Sequence, residues 1–542
     1  MSTHTTTSPA NHRDWVRPLL ILALVTAVLM TFQLDGTPFR GIYDDVDRSL
    51  IARNMVDSGD WLVATYVWGP LYTKPPLMYW TAAAIGTVTG RSDELPGNLA
   101  SVAGMFMLVL ATFWAGRNLL GTRAGLWAGL LLVTMHLFLA MSRQALLDTV
   151  MMGGFGLAFG ALIHLGYSAT PHSTRWWLLT AFGLSLAFMT KGPVILPVFV
   201  LIWVPMLKSN PRLRPRLGQV LAALALIVAI TLPWPLVLLR AAPEAAEVWH
   251  SELFGRFGDG QQFHAWTQKP IWFYLPDLAN TMPWLPLLIW AVVGAFRSRH
   301  QESRRLLLWW GLGGLIFFSL ASATKRSYYL LPLYPAFALL IAARWDDLVR
   351  QIRSSRWVPL LGLITVLILG LAMAVLPLTI SSVPRAPFMI GGVLTTAAAG
   401  VAIFFSRRAR WTPALFWVIG AAAFLHLTYF GWFVPRANAF HSGKPFFTEA
   451  RPLIGDHPVI LLETHLTLSV FYLHEVPWAY ARREKFPQVV ADNPGALVVA
   501  DPALAARFPG LAPVLVKELT EPLGKKRKLG LYQVAQPQPS SP

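Results

Sequence analysis

The sequence has no cysteine and few charged residues for its length. Without cysteine among its 542 residues, the chain can form no disulfide, thiolate nucleophile or cysteine-ligated metal site. Charged residues make up 13% of the chain, against about 25% in an average soluble protein. Hydrophobic residues make up 55%, and the mean hydropathy is +0.49. This composition excludes a soluble enzyme, a disordered chain and a disulfide scaffold, and it predicts a polytopic α-helical membrane protein.

Acidic residues are scarcer than basic ones. The chain has 27 Asp and Glu against 45 Lys and Arg, a formal net charge of +18. Such an excess can indicate nucleic-acid binding. Here the basic residues lie mostly in short runs between apolar segments, which is typical of cytoplasmic loops and lipid-headgroup contacts. We therefore expect membrane lipids, and no nucleic acid, as partners.

About 13 apolar segments are long enough to cross a membrane. Loops rich in Lys and Arg alternate with other loops, so the positive-inside rule predicts a cytoplasmic N-terminus. An odd number of spans then places the C-terminal region on the outer side. The predicted spans lie near 18–34, 96–116, 124–141, 145–167, 175–190, 192–207, 217–239, 279–296, 305–322, 328–343, 357–379, 387–405 and 411–431.

Two long loops, 35–95 and 241–277, lie on the predicted outer side and hold most of the acidic residues outside the C-terminal region. Long loops often carry function. From residue 434 short apolar runs alternate with turn signals, which indicates a small α/β domain. The sequence thus divides into a transmembrane domain at 1–433 and an external α/β domain at 434–542.

The first long loop contains paired acids and a constrained lysine. Residues 43–55 are expected to form a short interfacial helix with Asp44 and Asp45 at its N-terminus. Each acid is either a helix cap or a functional carboxylate, and the sequence does not choose between them. Lys74 precedes two prolines, so its backbone is extended. It either binds a lipid phosphate as a point charge or extends to the membrane interface as an ordinary lysine.

A few ionisable residues lie inside or beside apolar segments. Asp148 is expected at the outer end of a span, either as a functional group or paired with Arg143 or another loop. Glu252 and Arg256 are spaced to pair on one helix face. Three histidines are expected to pack between helices by hydrogen bonding rather than to bind a ligand. These are His136, His164 and His426.

Motifs over residues 40–340 resemble one family. In the order of that family, the chain carries Asp44-Asp45, Ala52-Arg53-Asn54-Met55, Ser58-Gly59-Asp60-Trp61, Lys74-Pro75-Pro76-Leu77-Met78-Tyr79-Trp80, Ser142-Arg143 with Asp148, Lys191-Gly192-Pro193, then Glu252, Arg256, His264 and Tyr328-Tyr329. These residues resemble the bacterial aminoarabinose transferases of lipid A and the wider protein-mannosyltransferase-related family, which has the GT-C fold.

The resemblance implies an inverting glycosyltransferase of a bacterial inner membrane. Its donor is a polyprenyl-phosphate-linked sugar, and its acceptor is lipid A, another envelope glycolipid or, in the protein O-mannosyltransferase alternative, a protein. Asp44 or Asp45 is implied as the catalytic carboxylate that orients or deprotonates the acceptor. Lys74, Arg256 and Lys191 are implied as the cations for the donor phosphate, with Lys325 and Arg326 in reserve. The implied substrate groove is lined by Tyr79, Trp80, Asp148, Glu252, His264, Tyr328 and Tyr329.

One departure bears on cofactors. Thr73 stands where the family usually has Glu before Lys-Pro-Pro. No cofactor is certain, and a divalent metal, if relatives hold one through that Glu, is in doubt here.

Two other classes of function compete with the enzyme. A sugar or lipid transporter places ionisable groups near mid-span and often has inverted repeats. Here the acids lie in the outer loops and no repeat is evident, which favours the transferase. A non-catalytic scaffold would leave the paired acids and Lys74 unexplained.

Overall fold

The computed structural model describes residues 14–41, 44–168, 174–210, 213–254, 269–298, 300–321, 325–344, 357–380, 383–408 and 410–534, with the backbone alone at 252–254, 357–362 and 411. Most of this chain is helical, and a small sheet lies near its C-terminus. The predicted class, a polytopic α-helical membrane protein with a C-terminal α/β region, is confirmed.

The first long loop is folded rather than extended. After α1 (Val16–Thr31) come the predicted interfacial helix α2 (Asp45–Ser58), a two-stranded hairpin of β1 (Thr65–Tyr66) and β2 (Gly69–Pro70), and α3 (Leu77–Thr89). The helix α2 ends at Gly59, whose φ of 72° is a left-handed conformation that glycine adopts without strain.

The remaining helices form the bundle. They are α4 (Leu95–Leu120), α5 (Thr122–Val133), α6 (His136–Ser142), α7 (Leu147–Tyr167), α8 (Thr174–Lys191), α9 (Leu196–Ser209), α10 (Leu217–Thr231), α11 (Pro233–Ala241), α12 (Ala245–Phe254), α13 (Tyr274–Asp277), α14 (Leu285–Arg297), α15 (Glu302–Leu308), α16 (Gly314–Ala321), α17 (Tyr334–Ala343), α18 (Trp357–Thr379), α19 (Arg385–Arg407), α20 (Trp411–Thr428) and α21 (Val434–Ser442). Among the described residues, seven helices are long and apolar enough to cross a membrane, or nine if each of two bent pairs is one span, and three more apolar helices are shorter. Every predicted span coincides with an apolar helix, while the count of 13 stays a prediction.

The chain reverses direction at Lys191. Residues 174–209 form one helical run of 36 residues with a 3₁₀ turn at Gly192–Ile195. Both ends of this run lie beside the same end of α7, because Trp176 packs on His164 with ring centroids 4.1 Å apart and Asn210 Nδ2 donates to the carbonyl oxygen of Gly166 at 2.8 Å. Lys191 contacts the opposite end of α7. The run therefore passes along α7 in both directions, and its two arms correspond to the predicted spans 175–190 and 192–207.

Small residues allow α4 and α7 to pack closely. A Cβ on Gly104 would clash with the backbone of Thr149, and one on Gly153 would lie 3.0 Å from the Cα of Gly104. Close backbone approach is the usual device for packing helices within lipid. It fixes the end of α7 that carries Asp148.

The C-terminal sheet is mixed. Its strands are β3 (Val459–Leu462), β4 (Trp478–Ala481), β5 (Leu497–Ala500), β6 (Leu511–Thr520) and β7 (Lys526–Val534), in the order β4-β3-β5-β7-β6. The first three are parallel, and β7 is antiparallel to both of its neighbours. Strands β3 and β5 are continuous apolar runs because both of their faces are covered. The covering helices are α22 (Lys444–Ile454), α23 (Leu466–Tyr472), α24 (Phe486–Asp492) and α25 (Pro502–Ala505).

The helical run of α20 and α21 continues through a π-helical turn to Ser442. The predicted domain boundary at 433/434 falls inside this run. We place the start of the sheet domain at Gly443, where φ is 73° and the helix ends.

The sheet domain docks on the first loop through α23. Arg53 Nη1 donates to the carbonyl oxygen of Phe471 at 2.8 Å, and its guanidinium lies over that ring. Glu94, which is buried, accepts from Tyr472 Oη at 2.8 Å and from Lys444 Nζ at 2.9 Å. These contacts hold the sheet domain against α2 and the start of α4.

Candidate functional site

The two acids at the start of α2 have different environments. Asp45 is 1% exposed and accepts hydrogen bonds from the backbone N–H groups of Arg40 at 3.1 Å and Val46 at 3.0 Å. Burial raises the pKa of its carboxyl to about 7, and these two hydrogen bonds offset only part of that effect. Asp45 therefore anchors the loop that enters α2.

Asp44 is accessible instead. Its side chain is 43% exposed and makes no capping hydrogen bond, although Asp44 occupies the N-cap position. The carboxylate pairs with Arg48 one turn later, with Nη2 to Oδ2 at 3.0 Å, and Arg48 Nη1 donates to Tyr79 Oη at 2.9 Å. Of the two acids, Asp44 is the one that a substrate can reach.

A second charged pair joins two membrane helices. Lys191 at the end of α8 donates to both carboxylate oxygens of Asp148, at 2.7 and 2.8 Å. The ammonium lies 4.8 Å from the centre of the Tyr329 ring and 5.9 Å from that of Tyr328. Such contacts are favourable between a cation and an aromatic face. The structure thus brings together four residues that the sequence analysis named as site candidates.

Arg326 links the two pairs. Burial lowers the pKa of its guanidinium, but the nearby Tyr328 oxygen and Asp44 carboxylate outweigh burial and leave that pKa raised. Tyr328 in turn lies within electrostatic range of Asp44 and Asp148. Asp44, Arg48, Arg326 and the Asp148–Lys191 pair, with the two tyrosines, form one cluster that we call the charged centre.

Some expectations about single residues need correction. Arg143 does not pair with Asp148; its guanidinium donates to the carbonyl oxygen of Met30 at 2.8 Å. Tyr79 is fully buried, so it supports Arg48 rather than lining a groove. Trp80 is partly buried and donates its indole N–H to the carbonyl oxygen of Trp61 at 2.6 Å, so its place in the groove stays a prediction.

The three histidines make packing contacts within the bundle. His164 Nδ1 lies 3.2 Å from Asn118 Oδ1, and His426 Nδ1 lies 2.7 Å from the carbonyl oxygen of Ala422. His136 packs against the His426 ring, with ring centroids 5.9 Å apart.

Lys74 lies in a loop that packs against the second long loop. Two residues before it, Tyr72 Oη donates to Glu244 Oε1 at 2.7 Å, and the Tyr72 carbonyl oxygen accepts from Trp249 Nε1 at 2.7 Å. Glu252 lies on α12, and only its backbone is described. Arg256 and His264 lie outside the described residues, so their predicted roles stay predictions.

The sheet domain reaches the charged centre through α2. Asp47 Oδ1 accepts from Tyr66 Oη at 3.0 Å, and that phenol is 2.8 Å from Thr467 Oγ1 at the start of α23. Burial raises the pKa of Asp47, while the Tyr66 hydrogen bond partly offsets it.

Sequence reasoning missed Arg48 and gave Arg326 only a secondary place. A usable signal existed for Arg48, because it lies four residues after Asp44 on a predicted helix. The proximity of Arg326 to Asp44 depends on long-range packing, and no local pattern reports it.

A metal site does not fit the described residues. None of their His, Asp and Glu side chains form a group of three placed to hold an ion. Thr73 offers a hydroxyl where a carboxylate is expected, and Asp44 is paired with Arg48.

Comparison with known proteins confirms the family resemblance. Residues 73–234 match the family described as dolichyl-phosphate-mannose-protein mannosyltransferase. The chain is 33% identical over 324 residues to undecaprenyl phosphate-alpha-4-amino-4-deoxy-L-arabinose arabinosyl transferase 1 of Sodalis glossinidius, an alignment that covers 58% of this chain and 56% of that protein. It is 29% identical over 465 residues to the transferase of that name from Pectobacterium atrosepticum, covering 81% and 80%. The crystal structure of ArnT from Cupriavidus metallidurans bound to undecaprenyl phosphate superposes with a TM-score of 0.74 at 18% identity, covering 97% of this chain and all of that one, which shows a shared fold.

Proposed function

We propose that this chain, a homologue of the bacterial aminoarabinose transferases with the GT-C fold, transfers a sugar from a polyprenyl-phosphate donor to lipid A or a related envelope glycolipid. The observation that carries the proposal is the charged centre. It holds an exposed carboxylate, Asp44, among cations at the end of the bundle that faces the sheet domain. Anionic lipid phosphate and an incoming acceptor require this combination of charges.

The donor phosphate needs a cation whose charge is not already cancelled. Asp148 neutralises Lys191, and Asp44 neutralises Arg48. Arg326 supplies the surplus positive charge of the centre. We therefore assign the developing phosphate of the leaving lipid mainly to Arg326, with Lys191 as an additional donor of hydrogen bonds, and keep Lys74 as a candidate because it stands in the Lys-Pro-Pro motif that the family shares.

Asp44 has two roles that depend on the acceptor. A hydroxyl acceptor must lose a proton as it attacks the anomeric carbon, and the Asp44 carboxylate is then the base. A phosphate acceptor is already anionic, so the carboxylate orients the sugar instead. In both cases Arg48 fixes the direction of the carboxylate through its bond to Oδ2. Direct displacement by either acceptor inverts the anomeric centre.

The membrane placement follows from the same proposal. The donor lipid tail lies in the apolar region between helices, beside Tyr329, and the sugar lies at the interface. The N-terminus is cytoplasmic, and the sheet domain, residues 443–534, is periplasmic in a bacterial inner membrane. The basic loops at the opposite end of the bundle support this orientation.

The test is mass spectrometry of envelope lipids and glycoproteins from cells with and without the protein. We expect a pentose-sized or hexose-sized mass on lipid A that disappears in Asp44→Asn and persists in Asp60→Asn, a control acid in the same loop. A sugar found only on proteins would favour the protein O-mannosyltransferase alternative. No product in any fraction, with the protein expressed, would favour a transporter and contradict the proposal.

Lys74 offers a second test of the donor site. Lys74→Ala should abolish use of the donor while the protein still folds, because the residue is on a partly exposed loop. Full turnover by this variant would remove Lys74 from the phosphate site.

A further inference from the structure

A cleft of about 610 Å³ separates the hairpin of the first loop from the sheet domain. Its walls come from both units and from α23 between them. The lining residues that carry chemistry are Trp68, His465, Thr467, Tyr480, Arg482 and Lys485. No carboxylate is among the described lining residues, so the cleft is cationic.

The aromatic wall is held in place by the sheet domain. Trp68, at the turn of the hairpin, is 70% exposed although its ring has edge contacts to Trp478 at 6.5 Å and Tyr480 at 6.2 Å. A large ring supported at its edge and open to solvent offers an apolar face with little loss of side-chain freedom on binding. Sugar rings have apolar C–H faces that suit such a surface.

The basic wall suits a phosphate. Arg482 and Lys485 are both exposed at the rim of the cleft, after strand β4. The nearest acid in sequence before α23, Glu463, is already held by Arg483 at 2.8 Å. An arginine and a lysine close together provide the planar fork and the point charge that bind phosphate oxygens.

The floor of the cleft connects to the charged centre. Thr467 Oγ1 bonds to Tyr66 Oη, which donates to Asp47 on α2. Asp47 lies one helical turn from Asp44. A ligand seated in the cleft is therefore beside the helix that presents the exposed carboxylate.

We propose that this cleft binds the phosphate-bearing sugar headgroup of the acceptor glycolipid. Trp68 and Tyr480 pack on the sugar, while Arg482 and Lys485 bind its phosphate. The sheet domain then positions the acceptor over α2. This inference rests on the proposed function, since it names the acceptor subsite of the same reaction.

The binding test uses the purified full chain and native mass spectrometry, with bis-phosphorylated lipid A, enzymatically dephosphorylated lipid A and phosphatidylglycerol as probes. We expect wild type to prefer phosphorylated lipid A at least tenfold over the dephosphorylated form. Arg482→Glu/Lys485→Glu should lose that preference. Lys525→Glu/Lys528→Glu, an equal change in charge at exposed positions outside the cleft, should retain it. Unchanged binding by the charge-reversal variant would overturn the inference. So would an equal loss for phosphatidylglycerol, which would indicate a general membrane contact.

A transfer assay separates this inference from the proposed function. Trp68→Ala, which alters an exposed side chain, should raise the acceptor KM about fivefold to tenfold and leave the donor KM unchanged. Sugar transfer by wild type with the same acceptor KM in both cleft variants would reject the cleft and leave the proposed function standing. Binding of phosphorylated lipid A at the cleft without transfer by wild type would instead count against the proposed function.

Discussion

Lys191 and Asp148 form a two-oxygen ion pair, with Nζ 2.7 and 2.8 Å from the carboxylate, although they lie at the ends of different membrane helices. The Lys191 side chain is 18% exposed and that of Asp148 is 10% exposed. The pair binds the turn between α8 and α9 to the end of α7. The Lys191 ammonium also lies close to two tyrosine rings of the charged centre. Structural and functional roles therefore coincide in one lysine.

Removal of Lys191 alone should destabilise the protein. Lys191→Met leaves a largely buried carboxylate without its partner, which costs about 3–5 kcal/mol. The double variant Lys191→Met/Asp148→Leu should recover most of that stability, because isosteric apolar replacement of a buried pair is often nearly neutral. Thermal unfolding in detergent measures both effects.

Donor affinity separates the two roles of Lys191. If the lysine contacts the donor phosphate, the stable double variant should still bind a polyprenyl phosphate at least tenfold more weakly than wild type. Wild-type affinity in that double variant would assign Lys191 to structure alone.

Arg326 should dominate donor binding, because its charge is the one in the centre without a paired carboxylate of its own. Arg326→Ala is expected to reduce kcat/KM about 10²-fold or more, as is typical for loss of a group that stabilises charge in a transition state. Arg326→Lys should recover part of the loss, since the charge returns without the planar fork. Arg385→Ala, at the start of α19, is the control and should have no effect.

Substitution of Asp44 should reduce activity, whereas substitution of Asp45 should reduce stability. Asp44→Asn should reduce transfer to a hydroxyl acceptor by about 10²-fold or more and leave the unfolding temperature close to that of wild type. Asp45→Ala should leave the buried N–H group of Val46 and the partly buried N–H group of Arg40 without their acceptor and cost about 1–3 kcal/mol. The opposite pattern would exchange the roles of the two acids.

The pH dependence of stability should reflect the ionisation of the Asp45 carboxyl group. Its pKa is raised from 3.8 to about 7 by burial, so the folded state favours the protonated form. The stabilising contribution is complete below pH 3.8 and is lost as pH rises through about 7. A difference of one in pKa corresponds to about 1.4 kcal/mol. Wild type should therefore unfold at a lower temperature at pH 8 than at pH 5, and Asp45→Asn, which cannot ionise, should have a smaller difference.

Local patterns in the sequence were sufficient for the helices but not for their contacts. Apolar runs located the apolar helices, and the acids at 44–45 predicted α2, because such features depend on residues near one another in the chain. The pairing of Asp148 with Lys191 instead of Arg143 depends on where two distant helices end. The burial of Asp45 and the exposure of its neighbour depend on the loop that precedes α2. None of these has a periodic signature.

The sheet domain should be released when Glu94 is removed. Glu94 is buried at the start of α4 and accepts from Tyr472 Oη and Lys444 Nζ. Glu94→Ala leaves both donors without their acceptor at the interface, which should weaken docking by about 1–3 kcal/mol. Limited proteolysis near Gly443 should then liberate a fragment containing the sheet, at protease levels that leave wild type intact.

Glu449→Ala is the matched control, because Glu449 pairs with Lys517 inside the sheet domain and is half exposed, so its loss should change docking little. Equal cleavage of the two variants would show that the Glu94 contacts do not hold the domain. Selective cleavage of Glu94→Ala, together with a raised acceptor KM, would connect docking of the sheet domain to use of the acceptor.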